Sequence, residues 1–371
     1  MQKKQDLRKL EIEDLVDVFH KPKKINGEKL ARSAWELGFV SDERAFGMAY
    51  EEILHDPSLL EKKEERKVTP IDQCGAKLHF ASDRTHEYKF LYDARWCNWR
   101  FCPQCAHRLS LNRAFVLKVI MTKLVEQGYR FLFLTFTIPN VEGEDLRDAL
   151  TELSDGWKRL SERKKYKHWI VGGVRKTEVT YNKKRNDYHP HLHILVCVKA
   201  DYFKHKTLNE NGKRIRIYPN IIDKAEWRND WQRAVRNPRA EQIDVQAVSN
   251  TPKKLGKSVA ELAKYSAKDS DMSTSRDVFK WFYLGMKGKR LFAPFGVMRE
   301  NWNLFKEDPT NFKDYYEPRE AVEWYYKSTF CWDFQAQDYL DYFDRLSDDE
   351  INRVQKKWLK ATVKLEEGGD D

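Results

Sequence analysis

The run Tyr188-His-Pro-His-Leu-His-Ile-Leu-Val-Cys-Val198 constrains this chain more than any other stretch. Polar and apolar residues alternate through its first half, the pattern of a strand with one buried face. Successive strand side chains point to opposite faces, so His191 and His193 share a face and Leu192 turns away. His189 falls on the same face, one step before the strand settles. Two imidazoles held side by side by a rigid strand form half of a divalent-metal site. A lone His-x-His would more often be a polar sheet surface. Three histidines leading into an apolar run, with a tyrosine-bearing helix downstream, favour a metal.

A second strand is expected over about 169–181, joined to the histidine strand by the polar loop Asn182-Lys-Lys-Arg-Asn-Asp187. Centring the turn near residue 185 sets Glu178 opposite residue 192, to within about a residue. Glu178 then approaches the histidine face. A hard carboxylate beside two imidazoles suits Mg²⁺ or Mn²⁺ and leaves positions open for phosphate oxygens. The plainer alternative makes Glu178 an exposed strand charge or a partner for Lys176.

Residues 258–268 read as a helix, with Ser258 as cap and Glu261 at capping-box spacing. Glu261 and Tyr265 are four apart and share a face, and Lys268 extends the same stripe. A phenolate is a nucleophile for a phosphodiester, and a carboxylate can serve as general base toward water. Because a free phenol titrates near 10, neighbouring positive charge has to favour the phenolate. Without the histidine strand, this would be an ordinary amphipathic helix with its tyrosine in the core.

Four of the six cysteines, Cys74, Cys97, Cys102 and Cys105, fall in one short segment. The pair Cys102-Pro-Gln-Cys105 has knuckle spacing, since a tight turn directs both thiolates at one ion. Four soft ligands match a structural Zn²⁺, with His79, His86 and His107 as possible substitutes. Arg95, Arg100 and Arg108, with Trp96, Trp99 and Phe101, suit nucleic-acid contact and could equally cover the knuckle. Cys197 and Cys331 stand apart and read as packing residues.

Charge separates the chain into zones. Residues 1–70 carry 14 basic against 15 acidic residues, 71–300 carry 44 against 26, and 301–371 carry 10 against 17. The positive excess coincides with the histidines, so a polyanion such as nucleic acid is the expected partner. There is no apolar leader and no membrane-length run, which reads as a cytoplasmic protein with reduced cysteines.

The expected organisation is a helical appendage at 1–70, with stretches near 6–19, 28–38 and 42–54. A cysteine-rich knuckle follows at 71–110, then a mixed domain at 111–300 and an acidic aromatic segment at 301–371. The mixed domain should hold a helix at 107–128 ending at Gly128, a strand at 131–139 and a helix at 144–163. Residues 200–240 read as a polar insertion with a helix near 224–236, and a strand follows at 242–248. In the last segment, Ser347 and Glu350 have capping-box spacing. That segment is expected to pack back on the chain or to bind a protein.

Four stretches in order carry a resemblance: Phe133-Leu-Thr-Phe-Thr137, Glu178-Val-Thr-Tyr-Asn182, His189-Pro-His-Leu-His193, and Glu261-Leu-Ala-Lys-Tyr-Ser-Ala-Lys-Asp-Ser-Asp271. With the cysteine cluster ahead of them, they resemble the HUH endonuclease superfamily. More closely, they resemble the replication initiators of small rolling-circle plasmids of Gram-positive bacteria. The resemblance covers roughly residues 70–295. It implies an α+β fold: an RRM-like antiparallel sheet with flanking helices, preceded by a zinc knuckle and bracketed by helical N- and C-terminal appendages.

The resemblance also implies a chemistry. His191 and His193, with Glu178, would hold Mg²⁺ or Mn²⁺, and Tyr265 would become joined to a DNA 5′ end. Glu261 would activate water when replication ends. Lys264, Lys268, Arg95 and Arg100 are candidate DNA contacts. The implied partner is plasmid origin DNA, single-stranded or extruded as a hairpin. No Gly-x-x-x-x-Gly-Lys-Ser/Thr loop is present, so a host helicase is an expected partner, and self-association is possible. A relaxase or transposase of the same superfamily is the near alternative. A non-catalytic zinc-containing nucleic-acid binding protein is the distant one.

Overall fold

The structure, a computed structural model, describes residues 21–38, 71–210, 213–249, 252–263, 266–316 and 320–360. These fall into two compact units. One holds 21–38, 71–109, Asp269–Lys280 and 320–360. The other holds Ser110–Lys268 and Trp281–Tyr316. The helices expected at 6–19 and 42–54 lie outside the described residues.

In the first unit, β1 (Lys77–Asp83) and β2 (Lys89–Ala94) form a hairpin. Two late strands, β10 (Trp324–Asp333) and β11 (Asp338–Arg345), complete an antiparallel sheet of order β11-β10-β1-β2. Its registers include Leu78 with Phe330 and Tyr326 with Arg345. The expectation of a helical C-terminal appendage is therefore corrected: Trp324–Asp333 and Asp338–Arg345 are strands, and α10 (Asp348–Lys360) is the helix that follows them. In β10 buried residues alternate with half-buried ones, from Trp324 through Ser328 and Phe330 to Trp332. That is a period of two, which aromatic crowding and aspartates obscure in the sequence.

α10 starts as its sequence indicates. The Ser347 amide donates to Glu350 Oε2 at 2.9 Å, and the Glu350 amide donates to Ser347 Oγ at 3.4 Å. Val354 and Trp358 of this helix pack on Ala81, Tyr92 and Trp324. At the other end of the chain, α1 spans Lys21–Glu36 with Leu30, Ala31 and Ala34 buried.

The second unit is built on a five-stranded antiparallel sheet of order β8-β3-β5-β4-β9. Its strands are β3 (Arg130–Thr137), β4 (Ile170–Asn182), β5 (Asp187–Val198), β8 (Ile243–Val248) and β9 (Phe292–Gly296). The histidine strand β5 is central. Helix α2 (Pro103–Glu126) precedes β3 and ends in a tight turn at Gly128, whose φ of +91° suits glycine.

One face of the sheet is covered by α3 (Leu146–Ser161) and α5 (Lys224–Ala234). Phe136 stacks on Trp231 with ring centroids 4.6 Å apart and meets Trp157 at 6.2 Å. The Trp231 indole donates to the Thr137 carbonyl at 2.8 Å. Leu192, Ile194 and Val196 of β5 belong to this buried face. The histidines are on the other.

Strands β4 and β5 approach closely at Gly173, where a Cβ would lie 2.3 Å from the Leu195 carbonyl oxygen. A separate two-stranded ribbon, β6 (Lys206–Glu210) and β7 (Lys213–Ile217), occupies the polar insertion.

Candidate functional site

The β4–β5 register pairs Glu178 with His191 and Lys176 with His193. The sequence reading set Glu178 opposite residue 192, and the one-residue difference matters. Direct pairing with His191 puts the carboxylate on the histidine face.

Glu178 Oε1 lies 3.8 Å from His191 Nε2, and its Oε2 lies 3.6 Å from His193 Nε2. The two imidazole rings sit 4.8 Å apart and nearly perpendicular. All three residues are largely buried, and their ligand atoms lie within 4.8 Å of one another. Ligands about 2.1 Å from one ion stand roughly 3 to 4 Å apart, so this trio fits a divalent cation.

The tautomers suit that role. His191 Nδ1 donates to the His189 carbonyl at 3.2 Å, which leaves the Nε2 lone pair directed at the site. His193 Nδ1 shares a hydrogen bond of 3.1 Å with Thr135 Oγ1 of β3. Burial lowers the pKa of both rings, that of His193 to about 4, so both rings are neutral near neutral pH, the form in which an imidazole can bind a metal. His189 lies in the same strand, its ring 5.4 Å from that of His191, and outside the trio.

Lys176 is the residue that sequence reasoning undervalued. It is 1% exposed, and its Nζ donates to Glu178 Oε2 at 2.6 Å and to the Glu261 carbonyl at 3.1 Å. It therefore ties the carboxylate to the main chain of α6 (Pro252–Ala263). Lys176 and Glu178 are two apart on a strand, so period-two counting alone would have placed both at the site.

α6 runs earlier than expected. It starts at Pro252, so Ser258 lies inside the helix and does not cap it. It ends at Ala263, and residues 266 and 267 form a bend. Lys268 is exposed and outside the helix, so it does not extend the Glu261 stripe. The negative charge of Glu261 acts on both His191 and His193. Lys264 and Tyr265 lie outside the described residues. On their C-terminal side, the Val179 amide donates to the Ser266 carbonyl at 2.8 Å, which fixes that residue against β4 next to Glu178.

The first unit carries the other metal-compatible cluster. The sulfurs of Cys74, Cys97, Cys102 and Cys105 lie within 4.8 Å of one another. Cys74 Sγ is 3.5 Å and Cys97 Sγ 3.8 Å from Cys105 Sγ. Cys74 precedes β1 and Cys97 follows β2, so the hairpin returns the chain to its start. Cys102 and Cys105 flank the first turn of α2, with the Cys102 amide donating to the Trp99 carbonyl at 3.0 Å. Hydrogen bonds from Cys102, Cys74 and Cys97 hold the Cys105 thiol far below its usual range, while Cys74 and Cys97 are pushed up. A tetrahedral cation would take the place of the thiol protons and be held by the four sulfurs.

None of the three histidines considered as substitutes belongs to this cluster. His79 bonds Thr329 at 3.0 Å, and His86 bonds Ser82 at 3.0 Å and stacks on Tyr326. The Arg108 guanidinium lies over the Trp96 ring at 5.2 Å and bonds Asn98 at 2.6 Å, so it covers the knuckle. Arg95 is exposed and donates to Gln73 at 3.1 Å, and Arg100 is half-buried. Among the described residues, no helix is long and apolar enough to cross a membrane.

Residues 88–340 match the Replication protein family. Similar curated proteins include a "Protein rep" of Staphylococcus aureus, 36% identical over 56% of this chain and 84% of that protein. A "Protein rep" of Lactiplantibacillus plantarum is 32% identical over 75% of this chain and 89% of its own length. A "Protein rep" of Bacillus amyloliquefaciens is 32% identical over 63% and 72%. No solved structure matches. The family match spans well over half of the chain, and the chain belongs to the Replication protein family, the plasmid replication initiators that its motifs resemble.

Proposed function

We propose that this chain is an origin-specific DNA nicking and joining enzyme of the HUH type, which starts rolling-circle plasmid replication. The observation that carries the reading is the convergence of Glu178, His191 and His193 on one sheet face. The chain on both sides of Tyr265 is anchored to the same strand, through Lys176 to Glu261 and through Val179 to Ser266. A central His-x-His strand in an antiparallel sheet with helices on one face also agrees with the HUH, RRM-like architecture.

In this mechanism Glu178, His191 and His193 would hold Mg²⁺ or Mn²⁺. Such an ion, when bound, polarises the scissile phosphate and stabilises charge on the leaving oxygen. The Tyr265 oxygen attacks phosphorus and its proton leaves. The bond to O3′ breaks, O3′ becomes a free hydroxyl that primes synthesis, and a 5′-phosphotyrosine diester remains. Lys176 holds Glu178 in place, and Thr135 orients His193. Glu261 deprotonates water when the strand is released, so the cycle ends without a second tyrosine. The four cysteines hold a structural Zn²⁺, since four thiolates fill a tetrahedron and leave no catalytic position. Origin DNA is the substrate, a host helicase unwinds it, and Lys264, Lys268, Arg95 and Arg100 are candidate contacts.

The test is incubation with supercoiled DNA carrying the cognate origin and Mn²⁺. The expected product is a nicked circle with protein joined to a 5′ phosphate, absent for Tyr265→Phe. Nicking by Tyr265→Phe at the wild-type rate rejects the assignment. A chain that binds the DNA without cutting it leaves the non-catalytic reading.

A further inference from the structure

Among the described residues, β6 and β7 pair only with each other. The register sets Lys206 against Ile217, Thr207 against Arg216, Leu208 against Ile215 and Asn209 against Arg214. Period two then sorts the ribbon into two unlike faces. Thr207, Asn209, Arg214 and Arg216 share one, which is wholly cationic or hydrogen-bonding. Lys206, Leu208, Ile215 and Ile217 share the other, and the Leu208–Ile215 pair stiffens the ribbon.

Every residue from Lys206 to Asn209 and from Arg214 to Ile217 is exposed. Leu208 is 50% exposed and Ile217 45%. Arg214 and Arg216 have no ion-pair partner among the described residues. An isolated two-stranded hairpin is marginal in water, so one kept exposed and cationic calls for a partner that completes it.

We propose that this ribbon is a duplex-DNA binding arm, seated in the major groove with Arg214 and Arg216 toward the nucleic acid. A two-stranded ribbon is the right width for that groove, about 12 Å across. Arginine forks onto guanine edges or phosphates, and asparagine onto adenine. Lys204 and Lys206 at the root add positive charge where the flanking backbone would pass.

Topology keeps the arm apart from the nicking site. The chain leaves β5 at Val198, five residues beyond His193 and therefore roughly 17 Å along the strand. The arm grips duplex while the scissile strand lies at the histidines. The inference takes from the proposed function only that DNA is the partner. It does not depend on the tyrosine chemistry.

The test compares wild type with the double variant Arg214→Ala/Arg216→Ala. Both side chains are exposed, and an unchanged melting temperature checks the fold. Binding to a mixed-sequence duplex of about 30 base pairs is measured across a salt series. The variant should bind at least about tenfold more weakly at low salt, with a salt slope shallower by about two phosphate contacts. Covalent capture of a single strand carrying the cognate origin, with Mn²⁺, should match wild type.

Unchanged duplex affinity and slope overturn the proposal. A matching loss of single-strand capture also overturns it, because the ribbon would then serve the nicking site. If neither protein captures single strands, the nicking mechanism fails while the duplex comparison still decides the arm. A second variant, Leu208→Ser/Ile215→Ser, covers the remaining occupant of the apolar face. Loss of self-association with duplex affinity intact makes the ribbon a contact between copies and refutes the proposal.

Discussion

Glu178 and His191 face each other directly across β4 and β5, with Oε1 3.8 Å from Nε2. No loop intervenes, so the geometry is set by the sheet and not by a ligand. Glu178→Ala should therefore weaken Mn²⁺ binding by about one to two orders of magnitude, and also lower the melting temperature, since buried Lys176 loses its partner. Titration followed by electron paramagnetic resonance of free Mn²⁺ measures it. Wild-type affinity in the variant would remove Glu178 from the ligand set.

Lys176 makes a prediction of opposite character. It is buried and pairs with Glu178 at 2.6 Å. Removing one partner of a buried pair leaves the other charge uncompensated, at a cost of about 3 kcal/mol. Lys176→Met should lower the metal-free melting temperature, and Mn²⁺ should restore part of the loss by neutralising Glu178. Equal destabilisation with and without Mn²⁺ contradicts this coupling.

The histidines give the metal-free protein an acid sensitivity. Burial is the main reason His193 sits at about 4, below the unfolded value near 6.5. Between those values the unfolded chain binds a proton that the folded chain does not, so stability rises with pH across the window. It is fully present above about 6.5 and lost as pH falls toward 4. Melting in chelator at about pH 7 and about pH 5 should show a larger drop for wild type than for His193→Gln. Parallel drops would assign the sensitivity to other groups.

Cys105 Sγ has sulfur neighbours in Cys74 at 3.5 Å and Cys97 at 3.8 Å. Cys105→Ser should purify with less than half of the wild-type zinc and melt lower, since binding a structural ion contributes to folding. Elemental analysis beside thermal melts checks both. Wild-type protein with no zinc after gentle purification would count against the ion.

The parts legible in the sequence are those that follow one period. Alternation in the first half of 188–198 revealed β5, a buried apolar run stopped by Pro139 revealed β3, and hairpin counting brought Glu178 within one residue of its partner. Cysteine spacing anticipated all four sulfurs of the cluster. Other parts were hidden for physical reasons. The strands at 324–345 mix aromatic residues with aspartates, and β11 is exposed at most positions, so no clean apolar face marks it. The early start of α6 was missed because Ser258 offered a capping box, although Pro252 is well placed in a first helical turn. The ribbon at 206–217 lacks a buried face and read as polar insertion.

The central claim is that the phenol of Tyr265 becomes joined to DNA at the phosphate held by the Glu178, His191 and His193 site. Peptide mass spectrometry after digestion of the protein–DNA adduct tests it most directly. The account predicts a nucleotide 5′ phosphate on the peptide containing Tyr265, and no adduct for His191→Ala or His193→Ala. An adduct on a different tyrosine, or one formed at the wild-type rate without those histidines, would contradict it.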